Sequence, residues 1–360
     1  MIIFAPLGAL LIAVVLLDAF ETMVLPRRVD RRLRLARIFY RATWTPWATL
    51  ARQSRSAGAR ETVLGFFGPL SIILLFVTWA AALILGFGIV HWSLGSHLLT
   101  DGRSTNFGGD VYMSGTTFFT LGLGDVRPDS TAARVVTVIE SGTGFGFLAL
   151  VIGYLPVLYQ AFSRREVSIS LLDARAGSPP TAGEMLRRYG GHEGSESLND
   201  LFLEWERNAA DLLESHLSYP ILAYFRSQHD RQSWLAALTA ILDASSLILA
   251  ASDGSDLRPA KLAFAMVRHA LIDLSQIFAS EPLPLTAPRL SADDIDRLNS
   301  LLAASGLPEL DAEGQRRLNL LRVSYEPYAN ALADFLLFSL PPWLPAPGQL
   351  DDWQTPDEGE

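Results

Sequence analysis

Cysteine is absent from all 360 residues, which excludes disulfides, thiolate metal sites and cysteine nucleophiles. Lysine occurs once, at Lys261, so nearly every cation is an arginine. No GxGxxG follows a strand-like run, and there is no Walker loop, nucleophile elbow, HExxH or paired Glu-x-x-His. With them go nucleotide binding, hydrolase and zincin chemistry and a two-metal bundle centre, so no enzyme and no cofactor is expected. Internal repeats are missing too. Charge is absent from long stretches: residues 2–17 and 63–90 hold no Asp, Glu, Lys or Arg, and residues 135–162 hold only Glu140.

Those empty stretches are what the chain has in place of a catalytic set. Each is long enough, or with its flanks long enough, to cross about 30 Å of hydrocarbon, and residues 63–90 reach roughly 42 Å as a helix. The first, extended to residue 25, lacks a basic start and a small-x-small cleavage site, so it is expected to be retained as a helix. Asp18 and Glu21 stand one turn apart near its end, either as a functional pair or paired with Arg27 and Arg28 at the headgroups. Between residues 27 and 60 lie ten arginines against one acid, Asp30, with Tyr40, Trp44 and Trp47 among them. Under the positive-inside rule this loop is cytoplasmic, which puts the N-terminus outside and the region after residue 165 in the cytoplasm. The loop is either a solvated linker or an interfacial helix bound to anionic lipid. His91 and Trp92 suit the far interface, and Asp101, Arg103 and Asp110 are read as solvated loop charge.

Between the second and third apolar stretches, residues 110–125 read DVYMSGTTFFTLGLGD. A short helix over residues 111–119, followed by glycine at alternate positions, suits a re-entrant pore loop. Gly122 and Gly124 take φ > 0 cheaply, so alternate residues can turn their carbonyls to one side. Such backbone is tolerated at membrane depth where it lines a cavity, whereas the bland alternative is a Gly-rich extracellular turn.

Thr120-Leu121-Gly122-Leu123-Gly124-Asp125 resembles the TVGYGD selectivity filter of potassium channels, and the resemblance covers residues 63–162. Thr120, both glycines and Asp125 match in place. Leu121 replaces the usual Val, and Leu123 replaces an aromatic that in the family braces the filter against its pore helix, which leaves selectivity open. The resemblance implies that backbone oxygens of Thr120, Leu121, Gly122 and Leu123 hold a potassium ion, with the Thr120 hydroxyl added and Asp125 shaping the outer mouth. It places Thr116 and Thr117 at the pore-helix end, Gly144 near an inner-helix hinge and Pro156 where some members gate. Close helix packing explains the glycines Gly142, Gly144, Gly146 and Gly153 equally well. Glu140 either accepts hydrogen bonds from the pore helix, pairs with Arg127, or sits at the outer interface.

Charge divides the chain. Residues 1–165 carry 15 Lys and Arg against 9 Asp and Glu, and residues 166–360 carry 14 against 29. The acidic second part argues against nucleic acid as a partner. Apolar residues recur there at three-and-four spacing over 198–216, 231–250, 259–279, 291–304 and 311–340, which predicts amphipathic helices. Ser291 with Asp294 reads as a cap, and Gly254, Pro282, Pro284, Gly306 and Pro308 as breaks. His269 with Asp273, and Asp211 with Ser215, His216 or Glu204, could form a bundle metal site, although a surface helix pair is favoured.

The expected fold is an all-α membrane protein: three transmembrane helices with a re-entrant pore helix and filter, then a cytoplasmic antiparallel helical bundle. Its parts are an N-terminal transmembrane helix (1–26), a basic linker (27–61), a pore domain (62–165), a second linker (166–197), a helical domain (198–340) and an acidic Pro-rich tail (341–360). The expected function is a homotetrameric cation channel of the cell's inner membrane, conducting potassium passively and gated by the inner helix under control of the helical domain. A weakly selective channel and a non-conducting membrane-anchored signalling protein remain as alternatives, and the ligand of the helical domain is not legible.

Overall fold

The computed structural model describes residues 4–25, 34–54, 56–94, 98–100, 103–104, 106–189, 192–228, 232–252, 257–278, 281–283 and 289–346. Arg27, Arg28, Asp30, Asp101, Gly254, Pro284 and residues 347–360, all of which carry expectations above, lie outside them. The chain divides into two units, Met1–Gln160 and Ala161–Glu360.

The first unit begins with α1 (Ala5–Met23), α2 (Leu35–Arg52) and α3 (Ala57–Ser93). Ser56 starts α3 by accepting a hydrogen bond from Ala59 N at 3.2 Å. Lipid tails are as apolar as leucine, so helices inside a bilayer associate through close packing rather than through a hydrophobic drive. Small residues supply that packing here. A Cβ on Gly8 would stand 2.7 Å from the Gly86 carbonyl oxygen, and one on Gly86 would stand 2.8 Å from Ile12 Cγ1. Around this crossing Val15, Ala19, Leu75, Trp79 and Leu83 form a core.

The region expected to be a linker or an interfacial helix contains α2. Its buried side, Ala36, Trp44, Ala48 and Ala51, faces the other helices, with the Trp44 ring 4.8 Å from that of Phe67 and Trp47 Nε1 donating to the Val63 carbonyl at 2.9 Å. Asp18 holds the start of α2. Its Oδ2 accepts from Ala36 N at 3.0 Å and from Trp79 Nε1 at 3.1 Å, so this acid is a helix cap supplied from a neighbouring helix. Glu21 lies 3.8 Å from Arg34.

Beyond α3, a small antiparallel sheet in the order β2-β1-β3 is made of β1 (Leu98–Thr100), β2 (Arg103–Ser104) and β3 (Arg127–Pro128). It brackets α4 (Phe107–Phe118), which starts about one turn earlier than the helix expected from residue 111 because Asn106 caps it, accepting from Gly109 N at 3.0 Å. α5 (Thr131–Ala176) is continuous through Pro156.

In the second unit the expected linker is largely helical. After α5 the chain turns at Pro179-Pro180 and forms α6 (Ala182–Arg188), capped by Thr181 and reinforced by Glu184, which pairs with Arg187 and Arg188. There follow α7 (His192–Ser218), a 3-10 turn (Pro220–Tyr224), α8 (Trp234–Ala251), α9 (Arg258–Ile277), α10 (Ala292–Ala304), α11 (Ala312–Val323) and α12 (Glu326–Leu336). The helix expected over 311–340 is two helices, broken at Ser324 and Tyr325, where Pro327 in the first turn of α12 favours a fresh start. At Ser291 and Asp294 both bonds of a capping box form.

Among the described residues four helices are long and apolar enough to cross a membrane: α1, α3, α5 and α8. The fourth differs from the others in its surroundings. Within the protein 89% of α8 is buried, against 22%, 44% and 17% of the apolar windows in α1, α3 and α5. It is the core helix of its unit and has no face to offer lipid. Asp243 on α8 is fully buried and bonded to Arg289 at 2.7 and 2.9 Å and to Tyr325 Oη at 2.5 Å. Arg289 also reaches Glu326, which Arg322 pairs from the other side, so the charges in this core satisfy one another. Burial pushes the Asp243 carboxyl up, with Arg289 opposing it, and pushes the Tyr325 hydroxyl well up. The segment after α12, expected to be extended or disordered, packs at its described end. Trp343 is buried, with Arg289 5.6 Å and Arg322 5.4 Å from its ring.

Candidate functional site: the loop after α4

The 120–125 segment leaves the C-terminal end of α4. Thr116 and Thr117 hold its start through their carbonyls, accepting from Leu121 N at 2.8 Å and Thr120 N at 3.0 Å. Their own hydroxyls turn back to Met113, Thr116 Oγ1 to its carbonyl at 2.9 Å and Thr117 Oγ1 to its sulfur at 3.6 Å. These two residues therefore fasten the loop to the helix. The partial negative charge of the helix C-terminus is directed at the same place.

From there the backbone alternates. Thr120, Gly122 and Gly124 have φ of 56°, 60° and 77°, whereas Leu121 and Leu123 are not among the positive-φ residues. Regular alternation across the two signs of φ turns successive peptide planes so that their oxygens can share one side. The glycines adopt it freely. Thr120 does not, since a left-handed L-residue is disfavoured by roughly 1–2 kcal/mol and persists where its surroundings hold it. The two carbonyl contacts from Thr116 and Thr117 are that hold. Leu121 and Leu123 are exposed, and a Cβ on Gly122 or Gly124 would meet nothing within 4 Å.

At the far end Asp125 Oδ2 accepts from the Tyr112 hydroxyl at 2.9 Å, a tie back to α4 that no spacing in the sequence announces. Leu123 takes no part in such a tie.

Behind α4, Glu140 from α5 is fully buried within the protein. Ser114 of α4 is bonded to its Oε1, and His91 of α3 lies 3.2 Å from its Oε2, so the partner is His91 and not Arg127. His91 itself is 1% exposed. Gly144, one turn further along α5, lies against the end of α4. A Cβ built there would be 2.8 Å from the carbonyl carbon of Phe118, so close approach requires glycine at this position. Gly142, Gly146 and Gly153 have open space instead. Pro156 lies inside the helical run of α5 without ending it.

The residues marked as candidate ligands in the second unit are separately engaged. His269 and Asp273 are 3.8 Å apart on the surface of α9, Asp211 faces Arg164 at 3.5 Å, and Glu204 bonds Arg175 at 2.9 Å. Ser215 bonds within its own helix. His216 is buried: Arg165 Nη1 donates to its Nε2 at 3.3 Å, and its Nδ1 donates to the Leu212 carbonyl at 2.7 Å. Burial, followed by the Arg165 charge, holds the imidazole down at about 3. Among the described residues no group of three His, Asp or Glu side chains is placed to hold a metal ion.

Comparison with known proteins points to the stretch that contains this loop. Residues 70–160 match a family model described as "Ion channel". The chain is also 25% identical over 264 residues to the "Uncharacterized membrane protein YdjJ" of Bacillus subtilis (strain 168), covering 71% of this chain and 74% of that one. No solved structure matches. The family match takes in most of α3, all of α4 and the 120–125 segment, and α5 through Pro156, and it supports an ion channel in the membrane.

Proposed function

We propose that the chain is one subunit of a homotetrameric channel that conducts potassium passively through the 120–125 segment. The observation that carries this reading is the alternation of positive φ at Thr120, Gly122 and Gly124. It prepares the oxygens of Thr120, Leu121, Gly122 and Leu123 to replace a cation's water shell, with the Thr120 hydroxyl below and Asp125 at the outer mouth. One chain brings one such segment, and a closed ring of oxygens needs four. In this reading potassium is the cargo, and no cofactor is required.

α5 serves as the inner helix, with Pro156, which removes one N–H from the ladder, as the gating position. The close approach at Gly144 favours packing over hinging there. The helix runs on into the second unit, which offers a route by which a cytoplasmic regulatory domain acts on the gate. The exposed Arg37 and Arg41 of α2, beside the exposed Leu35 and Ile38, suit anionic lipid at the cytoplasmic surface of the cell's inner membrane.

Leu123 favours one second reading, a weakly selective cation channel, because the filter is tied to α4 at Asp125 but not through an aromatic at position 123. Reversal potentials in mixed potassium and sodium separate the two. The primary test is potassium flux into liposomes with purified protein and with Gly122→Ala. Flux lost in the variant with the tetramer retained supports the assignment; unchanged flux removes it.

A further inference from the structure

Behind α4 three helices contribute one polar side chain each: His91 from α3, Ser114 from α4 and Glu140 from α5, none more than 1% exposed. Their bonds can be counted in protons. Ser114 Oγ lies 2.8 Å from the Ile84 carbonyl oxygen and is also bonded to Glu140 Oε1. A carbonyl only accepts, and a serine hydroxyl has a single proton to give. If that proton goes to Ile84, the bond to Glu140 must take its proton from the carboxyl. The imidazole is consistent with that assignment and rules out an ion pair. His91 Nε2 faces Glu140 Oε2 at 3.2 Å, while His91 Nδ1 is buried without a partner. A bare nitrogen lone pair tolerates that position better than an unpaired N–H, so the ring is neutral with its proton on Nε2. An imidazolium and carboxylate pair would strand the Nδ1 proton and leave the Ser114 hydroxyl between two acceptors.

We propose that Glu140 is a neutral carboxylic acid at the centre of a one-directional hydrogen-bond chain, and that this chain makes it a positioning residue for the pore helix. The donors run from His91 Nε2–H to Glu140 Oε2, from Glu140 Oε1–H to Ser114 Oγ, and from Ser114 Oγ–H to the Ile84 carbonyl. Every link is uncharged, which suits a site buried within membrane helices. The chain fixes the middle of α4 to both flanking helices, four residues or fewer from Thr116 and Thr117, which hold the loop. The protonation state stands on geometry alone, whereas the consequence for ion selection rests on the channel reading above.

Infrared difference spectroscopy of the full-length protein against Glu140→Gln tests the first part. A protonated-carboxyl C=O band present in the parent and lost in the variant is expected, and a difference spectrum showing only a lost carboxylate overturns the proposal. Flux measurements test the second part. Glu140→Ala and Ser114→Ala should each lower the potassium to sodium permeability ratio several-fold, and Glu140→Gln, whose amide can donate to Ser114 and accept from His91, should restore it. Should Glu140→Ala fail to assemble, Ser114→Ala carries the same comparison. Equal damage from Glu140→Gln and Glu140→Ala, or no change in Ser114→Ala, overturns the positioning role. A parent protein that passes no cation at all defeats the channel reading, and the infrared result still decides the state of Glu140.

Discussion

Gly144 of α5 lies against Phe118 at the end of α4, with room for no side chain: an added Cβ would stand 2.8 Å from the Phe118 carbonyl carbon. Phe118 is the last residue of α4, the helix from which the 120–125 segment leaves. Gly144→Ala should therefore push the end of α4 away from α5, at an overpacking cost of about 1–3 kcal/mol. The expected outcome is a lower melting temperature of the assembled protein and a reduced flux, while Gly142→Ala and Gly146→Ala, which meet open space within the chain, leave both close to the parent. If all three alanines behave alike, packing at Gly144 is not what the glycine is for.

Gly122 tests the backbone rather than the packing. Its φ of 60° admits glycine without strain, whereas alanine there is disfavoured by about 1–2 kcal/mol with no compensating contact. Gly122→Ala should abolish potassium flux and leave α4 and α5 intact by circular dichroism.

Tyr112→Phe removes the hydroxyl that reaches Asp125 while keeping the ring. The 120–125 segment then loses its tie to α4 at Asp125. A fall in the potassium to sodium permeability ratio is expected, read from reversal potentials, with little change in melting temperature because both groups are exposed. An unchanged ratio would show that Asp125 is held by other means.

Asp18 receives the N–H groups of Ala36 and Trp79 in a dry position. Asp18→Leu strands both donors, each at about 1–3 kcal/mol. Asp18→Asn keeps an acceptor and should lose less. Thermal unfolding in detergent, compared across the two variants, checks the ranking.

His216 sets an acid limit on the second unit. The folded imidazole titrates at about 3 and the ordinary group at 6.5, so between those values the unfolded chain binds the extra proton. Stability from this residue is complete above pH 6.5 and falls as pH drops toward 3, by at most about 1.4 kcal/mol per pH unit. Denaturant unfolding followed by tryptophan emission, with Trp234 5.4 Å from the ring, should show this slope in the parent and a shallower one in His216→Gln. Parallel slopes would place the acid sensitivity elsewhere.

Much of the fold is legible in one dimension. Runs without charge mark α1, α3 and α5 because a residue facing lipid must be apolar whatever its neighbours are. Capping residues such as Ser291 and Asp294 fix a helix start locally, since donor and acceptor are three residues apart. Local chemistry also misleads: the Gly- and Pro-containing stretch before α7 reads as a linker, yet Thr181 and Glu184 close a helix within it. The 311–340 pattern reads as one helix because its apolar period survives the break at Tyr325.

What the sequence settled by itself was the alternation of glycine at 122 and 124 and the apolar lengths on either side, both properties of single residues and their nearest neighbours. Only the tertiary structure decided that Thr120 joins the glycines at positive φ, that Asp18 caps a helix eighteen residues away, and that Glu140 meets His91 across forty-nine residues. The reason is physical: periodicity reports which face of a helix avoids water, but a hydrogen bond depends on which two faces meet, and nothing in the chain between the partners records that.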